Sequence, residues 1–211
     1  MREEYNARMQ NSGFWIILAG VGVYGAVHSL LAAHFVKRWA ERVWGPAARR
    51  FYRLVYSAAA GLGLLPLLGL AFMLPDERIY AIPFPWALLT LALQGAAGWC
   101  LLVAVARTGM PDFIGLRQVS RPAPLIAAAP DPVGLVTTGF YRFVRHPLYS
   151  FSFVLLWLMP WMSWNLLALC AGFSLYMLVG IWFEERKLAA EFGSAYAEYR
   201  RRTKMLIPGV L

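Results

Sequence analysis

Apolar residues gather in five blocks along this chain, at 14–33, 54–74, 84–106, 148–162 and 165–183. A helix that crosses the hydrocarbon core of a bilayer needs roughly 20 of them, and the first three blocks reach that length. The fourth is shorter. Pro160, Trp161 and the run Ser163-Trp164-Asn165 part it from the fifth, so the two predict a tight helical hairpin whose turn barely leaves the membrane. Tryptophans at such a turn fit an interfacial aromatic belt. The pattern predicts an all-α integral membrane protein of about five transmembrane helices, a single domain over 1–211 with the last two helices forming a hairpin. Residues 1–12 are polar and mixed in charge, so no cleavable signal is expected.

Two polar segments, 107–147 and 184–211, are large enough to build a site. In the first, Pro111, Pro122, Pro124, Pro130 and Pro132 rule out one long helix. In the second, Glu185, Leu188, Phe192, Tyr196 and Tyr199 recur at helical spacing, which predicts that the last span continues as an amphipathic helix, with Gly193 as its weak point. Glu185 lies on the apolar stripe of that extension, so its side chain is expected to point inward.

Composition supports the membrane class: of 211 residues 60% are hydrophobic and only 15% charged. The formal charge of +9 invites a nucleic-acid partner, but its distribution argues against one. The basic residues sit in short stretches between apolar blocks: Lys37 to Arg53, Arg107 to Arg145, and Arg186 to Lys204. The 74–84 connection has only Arg78, and the hairpin turn has none. By the positive-inside rule this alternation puts the N-terminus outside and the C-terminus in the cytoplasm, with 107–147 and 184–211 cytoplasmic. The lipid bilayer is the expected partner. Cys100 and Cys170 fall inside apolar blocks and read as small buried hydrophobes, so neither a disulfide nor a metal is expected.

The densest chemistry is the run Gly139 to Tyr149, which includes Arg145-His146-Pro147 at the entry to the fourth block. Proline can open a helix there, and the free N–H groups of such a terminus, beside an arginine and a histidine, attract an anion. A carboxylate or phosphate ligand is one reading and a headgroup contact of a basic flank the other. The second constellation is Glu184-Glu185, directly after the fifth block. Carboxylates at a membrane boundary are costly to desolvate. They would pair with Arg186, Lys187 or a loop arginine, or bind a cationic ammonium or the hydroxyls of a ribose.

The ordered pair of motifs resembles the isoprenylcysteine carboxyl methyltransferase superfamily, which includes phospholipid N-methyltransferases. The match runs from Leu135 to about Pro208: Gly139-x-Tyr141-x-x-x-Arg145-His146-Pro147-x-Tyr149, a hydrophobic hairpin, then Glu184-Glu185, Tyr196, Tyr199 and Ile207-Pro208. The resemblance implies S-adenosylmethionine as cofactor, in a site built from the pre-hairpin loop, the hairpin helices and the tail. Arg145, His146 and a glutamate would complement its carboxylate and ammonium, and Pro147 would belong to that motif. Leu135, Val136, Gly139 and Tyr141 would line the adenosine, and Tyr149, Tyr196 and Tyr199 would close the pocket. Arg145 and Glu185 would take part in catalysis, with no metal required.

The N-terminal part is similar to bacterial branches of the superfamily, the methanethiol S-methyltransferases and NnrU-like membrane proteins. It does so through His28-Ser29-Leu30-Leu31, Lys37, Tyr52-Arg53-Leu54-Val55-Tyr56 and Asp112 to Val119. His28 is a packed, hydrogen-bonded residue or a catalytic, substrate-binding one; Arg53 and Gln118 are further substrate candidates. These likenesses imply a methyltransferase of the bacterial inner membrane acting on a small or lipophilic thiol. A prenylcysteine-like carboxylate and a phospholipid amine follow as substrates. The other class is a non-enzymatic membrane subunit or carrier, for which Gln94 is the main buried polar candidate at mid-membrane.

Overall fold

A computed structural model describes residues 2–107, 110–122, 124–125 and 135–209. Pro130 and Pro132 lie outside the described residues, as do the side chains of Asp112 and Phe113. In chain order the elements are α1 (Arg2–Ala32), α2 (His34–Trp44), α3 (Pro46–Met73), β1 (Arg78–Ala81), α4 (Trp86–Arg107), α5 (Met110–Ile114) and α6 (Leu116–Ser120). A single 3-10 turn (Gly139–Arg142), α7 (Pro147–Trp157), β2 (Trp161–Ser163) and α8 (Trp164–Arg202) complete them. The protein is an all-α membrane protein, its four helices α1, α3, α4 and α8 being long and apolar enough to cross a bilayer.

The fifth expected span differs. Helix α7 has 11 residues, about 16 Å at 1.5 Å per residue, roughly half of the hydrocarbon thickness. The 148–162 block therefore ends as helix at Trp157. Pro160 biases the residue before it away from helical backbone, and the chain leaves through Leu158 into the extended β2. Among the described residues, four helices long enough to span and one of about half that length thus stand where about five spans are expected.

The chain groups into two compact units. The first holds 1–80, 108–130 and 162–172. Here α1 lies along α3, and small residues set the spacing: a side chain on Gly20 would strike Leu67, and one on Gly172 would press on Val21. Gly45, at φ +50°, turns the corner between α2 and α3, and Pro46 opens α3 where its missing N–H costs nothing. The first residues of α8 close the end of α3. Asn165 is fully buried, and its amide nitrogen donates to the carbonyls of Ala71, Leu74 and Pro75 at 3.2–3.3 Å. Those carbonyls belong to the helix end and have no next turn to bond.

The second unit holds 81–107, 131–161 and 173–211. Its centre is α4 against α7. Gln94 Nε2 donates to the Leu155 carbonyl at 2.8 Å and lies 3.3 Å from Met159 Sδ. The one mid-span amide that suggested a carrier is thus a helix-to-helix bond. The apolar run of α8 ends at Phe183, and a charged extension continues to Arg202, as the spacing of Glu185, Leu188 and Phe192 predicts. Gly193 breaks its helical backbone at φ +53°, the left-handed region that glycine tolerates.

Candidate functional site

The second unit brings Arg145-His146-Pro147 against Glu185. Pro147 opens α7 as its first residue, buried, and this leaves Arg145 and His146 as non-helical chain just ahead of the helix. That segment is held by the tail. Val144 pairs with Lys204 in a parallel bridge, and the Arg145 and His146 N–H groups donate to the Lys204 and Met205 carbonyls at 2.8 and 3.1 Å. Ser150 Oγ reaches the Leu206 carbonyl at 2.7 Å, and the Tyr199 hydroxyl donates to the Tyr141 carbonyl at 2.6 Å. Backbone bonds therefore fix both segments before any charge is considered.

Glu185 is where the side chains converge. Arg145 donates from Nε to Oε1 at 2.9 Å and from Nη2 to Oε2 at 3.2 Å, a two-point pair, while Nη1 reaches the Thr203 carbonyl at 2.6 Å. The Tyr196 hydroxyl donates to Oε1 at 2.5 Å, and His146 Nε2 lies 2.7 Å from the same oxygen. Since an ionised carboxylate only accepts, His146 carries its proton on Nε2. Arg200 Nε stands 3.4 Å from Oε2. The side chain of Glu185 is 13% exposed and that of Glu184 43%, so the inward residue of the pair is Glu185.

Twenty residues, 164–183, already span about 30 Å, which puts Glu185 beyond the membrane-crossing run. Burial by itself would raise its carboxyl. The hydrogen bonds from Arg145, Tyr196 and His146 outweigh burial and hold it well below the usual carboxylate range. Tyr196 is pushed up, first by burial and then by its bond to that carboxylate, so it stays a donor. The cluster is an ionised carboxylate inside a cage of donors.

Glu184 faces a second group of residues. His146 Nδ1 is 3.7 Å from its Oε2, and the Tyr149 hydroxyl interacts with it. Tyr141, outside the spans, is raised by burial and then by the Glu184 charge. This half-exposed carboxylate, ringed by two phenols and an imidazole, can receive a cation or hydroxyl groups. Gly139 opens the 3-10 turn at φ +66°, while Leu135 is half-buried and Val136 exposed. Among the described residues no hydrogen bond ties Leu135 or Val136 to the cluster. Beside it lies an apolar cavity of about 830 Å³, lined by Phe140, Phe143, Val144, Phe151, Val154 and Leu206 among others.

His28, Arg53 and Gln118 belong to the first unit. The His28 ring meets the Tyr56 hydroxyl, 2.8 Å from Nε2, and stacks on Tyr24 with centroids 5.8 Å apart. The three rings border a cavity of about 290 Å³ whose other walls are aliphatic. Arg53 is exposed, and its backbone packs under Gly115. Gln118 Oε1 is buried with no hydrogen-bond partner among the described residues.

Sequence reasoning assigned no role to Tyr56, Arg200, Ser150 or the 203–206 backbone. Spacing could have flagged two of them. Arg200 follows Tyr196 by four residues, and Ser150 follows His146 by four, one helical turn in each case.

No protein-family model matches the chain, and no solved structure matches it. Curated proteins do. It is 31% identical over 189 residues to methanethiol S-methyltransferase 1 of Bradyrhizobium diazoefficiens, covering 89% of this chain and 64% of that protein. To the methanethiol S-methyltransferase of Crocosphaera subtropica it is 32% identical over 194 residues, 89% of this chain and 72% of the relative. To that of Mycobacterium tuberculosis it is 31% identical over 192 residues, 89% and 75%. The chain thus spans a little under two thirds of the first relative's length and more of the other two. At such identity and coverage, the chain belongs to the methanethiol S-methyltransferase family.

Proposed function

We propose that this protein is an enzyme that methylates a small thiol with S-adenosylmethionine as donor. The convergence of the two motifs on the Arg145–Glu185 pair carries this reading, in a chain whose relatives are named for that activity. When bound, S-adenosylmethionine supplies a methyl carbon activated on a positively charged sulfur. The residues fit such a donor. Glu184, with Tyr141, Tyr149 and His146 around it, suits an ammonium or ribose hydroxyls. Arg200, 53% exposed behind Glu185, suits a carboxylate. Leu135, Val136 and Gly139 would line the adenine side.

Arg145 and Glu185 satisfy each other, so their role is to hold Tyr196, His146 and the tail in register. We assign the thiol side to His28, with Arg53 and Gln118. A thiol is a poor nucleophile until it loses its proton, and His28, hydrogen-bonded to Tyr56, is an imidazole that can accept it. The basic stretches support a bacterial inner-membrane protein with its N-terminus outside and its C-terminus in the cytoplasm.

A second reading, a longer lipophilic thiol, draws on the 830 Å³ apolar cavity, far larger than a two-heavy-atom thiol needs. The test is incubation of the reconstituted protein with methyl-labelled S-adenosylmethionine and methanethiol, with labelled dimethyl sulfide measured in the headspace. Label transfer that His146→Ala abolishes, together with calorimetric binding of the donor that the same change weakens, supports the assignment. A folded protein that neither binds the donor nor transfers label overturns it. Transfer to octanethiol but not methanethiol selects the second reading.

A further inference from the structure

We propose that α2 lies in the headgroup layer and binds acidic phospholipid headgroups through Arg38 and Arg42. The helix has three faces. Ala40 is fully buried and turns toward the protein. Phe35, Trp39 and Val43, four residues apart, are 54–57% exposed in a continuous apolar stripe. His34, Arg38 and Arg42, all exposed, run one residue ahead of that stripe and so lie about 100° around the helix from it. An apolar stripe beside a basic one is the arrangement of a helix lying in the interface plane.

Its joints fix its depth. One residue, Ala33, links it to α1, and one, Gly45, links it to α3. Both neighbours are membrane-crossing helices. The 11 residues of α2, about 16 Å long, are therefore tethered at both ends to the level where the spans leave the core.

The charge facing outward is of one sign. The only acid on α2, Glu41, is turned in: it accepts the Leu125 N–H at 2.8 Å and pairs with Arg49 at 3.3 Å. Arg38, Arg42 and Arg50 remain exposed around it. Such a cationic rim beside exposed aromatics complements anionic headgroups, and Trp39, edge-on to Trp44 at 5.2 Å, supplies the interfacial aromatic. This surface is independent of the methyltransferase reading.

The test uses the full chain reconstituted in bilayers of mixed phosphatidylcholine and phosphatidylglycerol. Electron spin resonance of spin-labelled lipids gives the protein's preference for phosphatidylglycerol. Arg38→Gln with Arg42→Gln should lower that preference at least about twofold. The same loss of two charges at Arg201 and Arg202 should leave it in place. Phosphatidylcholine brominated near the headgroup should quench wild-type tryptophan fluorescence more than that of Trp39→Phe. An unchanged lipid preference in the α2 variant, or equal quenching with and without Trp39, overturns the proposal.

Discussion

Arg145 meets Glu185 side-on, each of two guanidinium nitrogens on its own carboxylate oxygen. A lysine is a single-point donor and cannot reproduce that fork. Arg145→Lys should therefore weaken donor binding tenfold or more by calorimetry while the protein remains folded. Glu185→Ala should do more damage. It leaves a guanidinium only 10% exposed without its carboxylate, a change that costs about 3 kcal/mol, visible as a lower thermal midpoint in detergent.

The same pair sets a pH response. The folded Glu185 carboxyl is held below the roughly 4.3 of an unfolded glutamate, mainly by Arg145 and Tyr196 working against burial. Its contribution to stability is therefore complete above about pH 5 and drains as the pH falls through the folded value. The stability gap between wild type and Glu185→Gln should be level from pH 7 to 5 and shrink steadily below about pH 4. A gap that closes between pH 7 and 6 would show that Glu185 does not set the response.

Asn165 should behave as a structural cap. Three carbonyls at and just past the end of α3 share its amide, and Asn165→Ala would leave them without that donor. The expected loss is about 2 kcal/mol, read as a lower unfolding midpoint, with donor affinity unchanged in the folded fraction.

Gly115 sits against the backbone of α3. At φ +100° it separates α5 from α6, and a side chain there would sit 2.5 Å from the Leu54 nitrogen and 2.8 Å from the Arg53 carbonyl carbon. Gly115→Ala adds left-handed strain to a clash with backbone that cannot move aside, about 2–3 kcal/mol together. Thermal unfolding should show it, and thiol turnover should fall with it because Arg53 and α6 shift.

Tyr56→Phe removes the hydroxyl that meets His28 at 2.8 Å while keeping the ring that borders the cavity. If the thiol side is there, kcat/KM for methanethiol should fall about tenfold with donor affinity intact. Equal loss of donor binding would move the pair out of the thiol site.

The large apolar blocks were legible because a bilayer demands long uninterrupted helices, and the inward turn of Glu185 was legible because one helical stripe fixes it. The short α7 was not. Block length counted the apolar residues 158–162, but the helix ends at Trp157 ahead of Pro160, and from Trp161 the chain is extended. Asn165 also escaped notice, since an amide next to a turn gives no sign in sequence that it gathers carbonyls from 90 residues away. A glutamate paired with a loop arginine was one of the readings of Glu184-Glu185, but nothing in the spacing singled out Arg145 as that arginine. Motif spacing brings opposite charges into one neighbourhood without saying that they neutralise each other. The three faces of α2 were in the spacing all along, masked by reading its basic residues only as a count.

The parallel bridge between Val144 and Lys204 also has a consequence in time. Fifty-nine residues separate Arg145 from the carbonyl that receives its N–H, so at 5–20 residues per second a ribosome needs about 3–12 s between making one and the other. For the first 40 of those residues Arg145 has no Glu185 to pair with, and only at the last does it gain the tail carbonyl that holds its backbone. A chain ending before Glu185 cannot assemble the carboxylate cage, and one ending before Lys204 lacks the bridge that fixes it, which makes the cluster one of the last parts of the fold to close.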